Sequence, residues 1–300
     1  MVLPPLKRYT ITFTVATNWS INHILFFQEH QFAQCSKDPL LDLKKNQHSL
    51  PHVPIGTILS LKYKDENGKV HFRGYGNAST SCFSNVTSAK IYVGKIVDVK
   101  IPSFGKIQIT GCLDDSQAYK TIQTIWKSIQ EIEKRKPGFV TLPPQEPPKA
   151  IYNPVMNNVS IHINFEINRK KLQTFLYRYQ GDNFLLPVKD ERYAGIKIEA
   201  KINSISEIPI VQHRFLNGKW YSSQVTMNDF LALLTGKSRK EELMKKYQHV
   251  ILMFHSGKLI YIAPRFELMP EFYRYFLNIL QENRDKIEET CQHETSKITT

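Results

Sequence analysis

The chain has no apolar run long enough to cross a membrane as a helix, which needs roughly twenty such residues, and no membrane partner is expected. Only four cysteines are present (Cys35, Cys82, Cys112, Cys291), far apart and without metal-ligand spacing, so they are expected to be reduced thiols rather than a staple or a zinc site. There is no phosphate loop, no Gly-x-Ser-x-Gly and no His-Glu-x-x-His. Gly74-Tyr75-Gly76 is too short for a nucleotide loop, and the ten histidines are scattered. No enzyme, metal or other cofactor is therefore expected. Met1 to Arg8 shows no signal-peptide pattern, which leads to an intracellular expectation. Four Asn-x-Ser/Thr sequons, at Asn18, Asn77, Asn85 and Asn158, are then chance.

What the chain does have is apolar content and positive charge. At 41% hydrophobic over 300 residues it can bury a core, as one large domain or two modest ones. Its formal charge of +13 favours a polyanionic partner such as nucleic acid, a basic solubility bias being the plainer reading.

One short pattern occurs twice. Val97 to Gly111 and His249 to Ala263 each read as strand, tight turn ending in Gly-Lys, strand, with an amphipathic helix after. Glycine there supplies the positive φ of a short hairpin. Two similar lobes are implied. The first half starts with a strand, Tyr9 to Val15, in which Ile11, Phe13 and Val15 alternate with threonines. Asn18 or Ser20 caps a helix carrying Ile21, Ile24, Leu25 and Phe32. Residues 35–54 and 76–86 read as loops, and Asn67-Gly68 as a hairpin turn. Asp114 caps a helix bearing Ile122, Ile125 and Ile129. Residues 137–149 hold five prolines and read as a semi-rigid linker. The order then restarts, with a strand over Ser160 to Ile167, a helix capped by Asn168, a strand from Ile196, and a last helix opened by Pro270. Within 211–247 a strand near Lys219 to Val225 and a short helix near Met227 to Leu234 are expected. The domains are thus 1–136, a linker at 137–149, 150–289, and a frayed tail at 290–300.

Each half reads as one helical layer on one face of an antiparallel sheet, an α+β arrangement that leaves the other face open. Period two sorts the hairpins. Asp98, Lys100, Pro102, Lys106, Gln108 and Thr110 point outward in the first; Val250, Leu252, Phe254, Lys258, Ile260 and Ile262 point outward in the second. The second half is thus apolar on both faces and needs cover. A second core layer or a homodimer contact meets that need as well as a ligand does.

The paired units, with Leu252-Met253-Phe254-His255-Ser256-Gly257-Lys258 before one turn and Gly105-Lys106-Ile107-Gln108-Ile109-Thr110-Gly111-Cys112 after the other, resemble the TATA-binding protein family. The similarity is closest to the divergent TATA-binding-like proteins of large cytoplasmic DNA viruses. It covers both halves in element order, with close motif similarity confined to the hairpins. The resemblance implies two pseudo-repeated lobes, a saddle of antiparallel sheet with helices on the convex side. It implies a transcription initiation factor whose concave sheet binds A·T-rich double-stranded DNA in the minor groove, with aromatic wedges kinking it. Phe254 matches a wedge, and Tyr193 a second. Leu252, Ile260 and Ile262 suit the A·T minor groove, which lacks the guanine amino group. Lys106 and Lys258 fall near phosphates, Thr110 near base edges, and Lys100 and Gln108 on the same face. The helix faces bearing Lys120, Lys127 and Lys134, or Arg274, Asn278 and Asp285, would dock initiation factors or RNA polymerase. Localisation would be the nucleus or, for a viral protein, the host cytoplasm or virion. The chain departs from the family at Pro102 and Pro54 in the first-lobe wedge positions, at Ile11 and Ser160 where the family has asparagines, and in acids at Asp98, Glu166 and Glu199. The alternative is a scaffold of the same fold that works through proteins.

Overall fold

The computed structural model describes residues 6–34, 38–42, 50, 52–76, 82–179, 186–188, 195–202 and 205–289. In chain order the strands and helices are β1 (Arg8–Thr17), β2 (Ser20–Ile21), α1 (His23–Glu29), α2 (Pro39–Asp42), β3 (Thr57–Lys64), β4 (Val70–Gly74), β5 (Val86–Tyr92), β6 (Ile96–Pro102), β7 (Lys106–Cys112) and α3 (Asp115–Arg135). There follow β8 (Val140–Thr141), β9 (Lys149–His162), α4 (Arg169–Arg178), β10 (Leu186–Val188), β11 (Ile196–Lys201), β12 (Ile210–Leu216), β13 (Lys219–Val225), α5 (Met227–Ala232) and α6 (Gly236–Leu243). Last come β14 (Gln248–Met253), β15 (Lys258–Ala263), a 3-10 turn (Phe266–Leu268), α7 (Met269–Glu282) and α8 (Arg284–Ile287).

Two compact units divide the chain. One comprises Thr10–Met156 with Ser204–Lys245; the other comprises Met1–Tyr9, Asn157–Asn203 and Lys246–Thr300. In the first unit β1 pairs β7, β7 pairs β6, β6 pairs β5, and β3 and β4 follow, all antiparallel. In the second, β9 pairs β15, β15 pairs β14, β14 pairs β11, and β10 follows, again antiparallel. The pairing order is the same in both units. So is the chain path, with a helix after the first strand (α1, α4) and a long helix after the hairpin (α3, α7). Gly105 and Gly257 occupy matching turns at φ of 92° and 75°. The protein is an α+β chain built twice on one plan.

Side-chain chemistry fixes the elements locally. Asp114 caps α3 by accepting from the Gln117 N–H, and Asn168 caps α4 by accepting from Lys171. The cap of α1 is Asn22, whose oxygen accepts from Ile24 and Leu25, because Ser20 and Ile21 are drawn into β2. In the first core Phe13, Val99, Ile101 and Ile109 meet Ile122, Ile125 and Ile129 of α3. In the second, Ile251, Met253, Leu259 and Tyr261 meet Phe276, Ile279 and Leu280 of α7.

The units cut the chain elsewhere than the sequence suggests. Ser204–Lys245 belongs to the first unit because β12 pairs with the start of β9, from Val211↔Tyr152 to Arg214↔Lys149. The proline-rich stretch also packs into the first unit rather than linking two bodies. Phe139 is buried, and Val140 pairs with Ile21. Glu133 accepts from the N–H groups of Gly138 and Val140, bonds that hold its carboxyl below the usual range. Asn18 Oδ1 accepts from Lys149 N at 2.7 Å. The expected tail at 290–300 lies outside the described residues.

Candidate nucleic-acid interface

The face of each sheet opposite its long helix is defined by register. In the second unit, facing residues across β11, β14, β15 and β9 form two transverse rows. One is Glu199–Val250–Ile262–Asn158; the other is Lys197–Leu252–Ile260–Ser160. Val250, Leu252, Ile260 and Ile262 are all half-buried, whereas Ile251, Met253, Leu259 and Tyr261 beneath them are buried. The alternation expected from the sequence is thus realised residue by residue. Four aliphatic side chains form a block at the middle of this face, with a Lys197–Glu199 ion pair on one flank and Asn158 and Ser160 on the other.

Phe254 follows β14 directly, at the corner of the block, and is half-buried. Its backbone closes the hairpin, donating to Lys258 O at 2.9 Å and accepting from Gly257 N at 3.1 Å. Gly195 lies against it. A Cβ there would sit 2.6 Å from Met253 O and 3.3 Å from the Phe254 ring, so only glycine permits this approach. Tyr193 lies outside the described residues. Lys258 is exposed and makes no ion pair among the described residues.

The first unit's face is different. Its rows are Thr12–Thr110–Asp98–Lys90 and Thr14–Gln108–Lys100–Ser88. Thr110 and Asp98 are exposed, Gln108, Lys100 and Pro102 half-buried, and Asp98 pairs with Lys90 at 2.8 Å. The end of this face is covered. Ala16 and Ile151 form a small core with Ile210, Met227, Phe230 and Leu234, which brings α5 onto it. Lys106 Nζ is held 2.9 Å from Glu242 of α6. Lys106, which the resemblance places near phosphate, is paired here with a carboxylate that α6 sets over the strand.

Two aromatics escaped the sequence reading. Phe83, 58% exposed, carries the Lys100 ammonium over its ring at 3.4 Å. Phe104, 70% exposed, tops the β6–β7 turn. Phe83 sits in no periodic segment, so its position beside Lys100 comes only from the pairing of β5 with β6. Among the described residues no group of three or more His, Cys, Asp or Glu could hold a metal ion.

No protein-family model matches the chain, and no curated protein matches it. Among solved structures it is similar to a chain described as Methanococcus jannaschii TBP, with 12% sequence identity and a TM-score of 0.47, over 93% of this chain and 99% of that one.

Proposed function

We propose that the protein is a TATA-binding-protein-like transcription initiation factor that holds promoter DNA against the open sheet faces. The observation that carries this reading is the half-buried block of Val250, Leu252, Ile260 and Ile262 on the side of the sheet away from α7, with Phe254 at its corner. Support comes from the repeated topology and from the hairpin motifs that resemble that family. Aliphatic side chains with no donor to satisfy fit the A·T minor groove, and a cornered aromatic fits a base step opened toward it. The net charge of +13 supplies the attraction to phosphate. On this reading the second unit supplies the apolar contact and the first a polar one through Thr110, Gln108 and Lys100. Titration of A·T-rich and G·C-rich duplexes at two salt concentrations tests it. Tighter binding of the A·T-rich duplex at both is expected; equal affinity for the two removes minor-groove readout.

A second reading rests on one observation. Asp98 is exposed and Glu199 is half-buried on the sheet faces that would meet phosphate, whereas Lys120, Lys127, Lys134, Arg274, Asn278 and Asp285 are all exposed on the helices. A scaffold binding polymerase or initiation factors through those helices would show no duplex binding at either salt concentration.

A further inference from the structure

The segment that completes the first unit ends its sheet in an open edge. Among the described strands β13 pairs with β12 alone. The turn between them, Asn217-Gly218, has φ of 49° and 79°, the type I′ signature. Leu216 and Lys219 flank this two-residue turn and form its hydrogen-bonded pair. Bonded and non-bonded pairs alternate from there. The backbone groups of Tyr221 and Ser223 therefore face β12, and those of Trp220, Ser222 and Gln224 face away. Tyr221 to Gln224 are exposed. Lys219, the first residue of β13, is its one charge; Trp220 to Val225 contains no charge and no proline, so this part of the edge lacks the usual devices that block strand addition.

Side chains give this edge a chemical preference. Phe215 and Trp220 pack toward Trp126 of α3, at ring centroids of 6.0 and 6.5 Å. An open groove of about 500 Å³ runs there, lined by Gln123, Trp126, Lys127, Gln130, Phe215 and Trp220 among others. Lys120, Gln123, Lys127, Gln130 and Lys134 follow i, i+3, i+7, i+10, i+14 spacing and so share one face of α3. The three lysines are exposed and make no ion pair among the described residues. Two acids border this stripe: Glu131, one turn on from Lys127 and about 40° round the helix from it, and Glu133, whose carboxylate is taken up by the Gly138 and Val140 N–H groups, so the lysines keep a net positive charge.

We propose that the β13 edge and the α3 groove form one docking site for an extended acidic segment of a protein partner. The segment adds to β13 as a further strand, bonding to the backbone of Trp220, Ser222 and Gln224. Its helix-side side chains set an apolar group against Trp220 and carboxylates toward Lys127 and its neighbours on the stripe. This site shares no residue with the sheet faces proposed to meet DNA.

The test uses the full chain and an end-capped, fluorescein-labelled octapeptide with one leucine and three glutamates at alternate positions and threonine between them, so that leucine and glutamates share one face, beside the same peptide with lysine for glutamate. Anisotropy is expected to show binding of the glutamate peptide only. Lys127→Glu should weaken it by about tenfold, and Gln224→Pro should abolish it. Proline is tolerated at an edge position whose N–H faces solvent, so Gln224→Pro should keep its urea midpoint. Should that variant unfold, amide exchange in the unmodified protein decides, with Trp220, Ser222 and Gln224 slowing when peptide is bound. Equal binding of both peptides, or indifference to both substitutions, overturns the proposal. A dimer dissolved by Gln224→Pro would assign the edge to a second copy and overturn it too. So would a single-stranded oligonucleotide that displaces the peptide and still binds the Gln224→Pro protein.

Discussion

Lys106 Nζ lies 2.9 Å from the Glu242 carboxylate, whose side chain is only 2% exposed. Glu242 also meets Lys245 at 3.4 Å and Asn153 Nδ2 at 3.5 Å, so the acid is surrounded by donors. Removing one partner of a buried pair leaves an uncompensated charge, at a cost of about 3 kcal/mol. Glu242→Ala should lose about that much in urea unfolding, while Lys106→Met with Glu242→Leu should recover most of it. Lys106→Ala is expected to lower stability and leave the salt dependence of DNA binding unchanged. A fall in the salt slope with unchanged stability would show the pair to be broken in solution.

Lys258 is the contrasting case. It begins β15 as Lys106 begins β7, but is exposed. Lys258→Ala should leave the urea midpoint unchanged, weaken A·T-rich and G·C-rich duplexes alike, and reduce the salt slope by about one charge. Selective loss of the A·T-rich duplex would instead make Lys258 a base contact.

The aromatics should act differently from the lysines. Phe254→Ala is expected to remove bending, read by energy transfer across a labelled duplex, together with most of the A·T preference, since unstacking a step costs a few kcal/mol that an inserted ring offsets. In the first unit Phe83→Ala should weaken binding more than Pro102→Ala, because Phe83 is the broader ring and seats Lys100. Wild-type bending by Phe254→Ala would end the wedge assignment.

The matching turns should respond unequally to a methyl group. A Cβ on Gly257 would lie 2.4 Å from Phe165 O and 3.0 Å from Ile163 O, whereas one on Gly105 meets only Ser238 Oγ, at 3.4 Å. Both pay for alanine at positive φ, roughly 1 kcal/mol. Gly257→Ala must also displace backbone, so its thermal midpoint should fall well below that of Gly105→Ala; equal midpoints would mean that the β9–α4 connection yields.

Each unit carries a buried histidine held neutral. Burial lowers His249 from 6.5 to about 4; its Nδ1 shares a hydrogen bond with Tyr261 Oη at 2.7 Å, and its ring stacks on Phe272 at 4.2 Å. Burial and the nearby Arg73 and Arg135 lower His30 to about 4 as well. Between pH 6.5 and 4 the unfolded chain binds these protons and the folded chain does not. Stability is therefore full above about pH 6.5 and declines as pH falls toward 4, by roughly 3 kcal/mol for each group. Urea midpoints measured across that window should fall with acid, and His249→Gln and His30→Gln should each flatten the slope. An unchanged slope in both would show that other groups carry the acid sensitivity.

The sequence by itself determined the repeated hairpins, the caps at Asp114 and Asn168, and the inward and outward sorting of β6, β7, β14 and β15. These are local: a two-residue side-chain period, a glycine at positive φ and an oxygen two to three residues from an unpaired N–H all operate within one element. It did not reveal that 204–245 belongs to the first unit, that Glu242 neutralises Lys106, that the proline-rich stretch packs, or that Phe83 stands beside Lys100. Those depend on which strand finds the free side of β9 and on which charge reaches another more than a hundred residues away. Such contacts are decided by the free energy of the assembled sheet and leave no spacing in the chain.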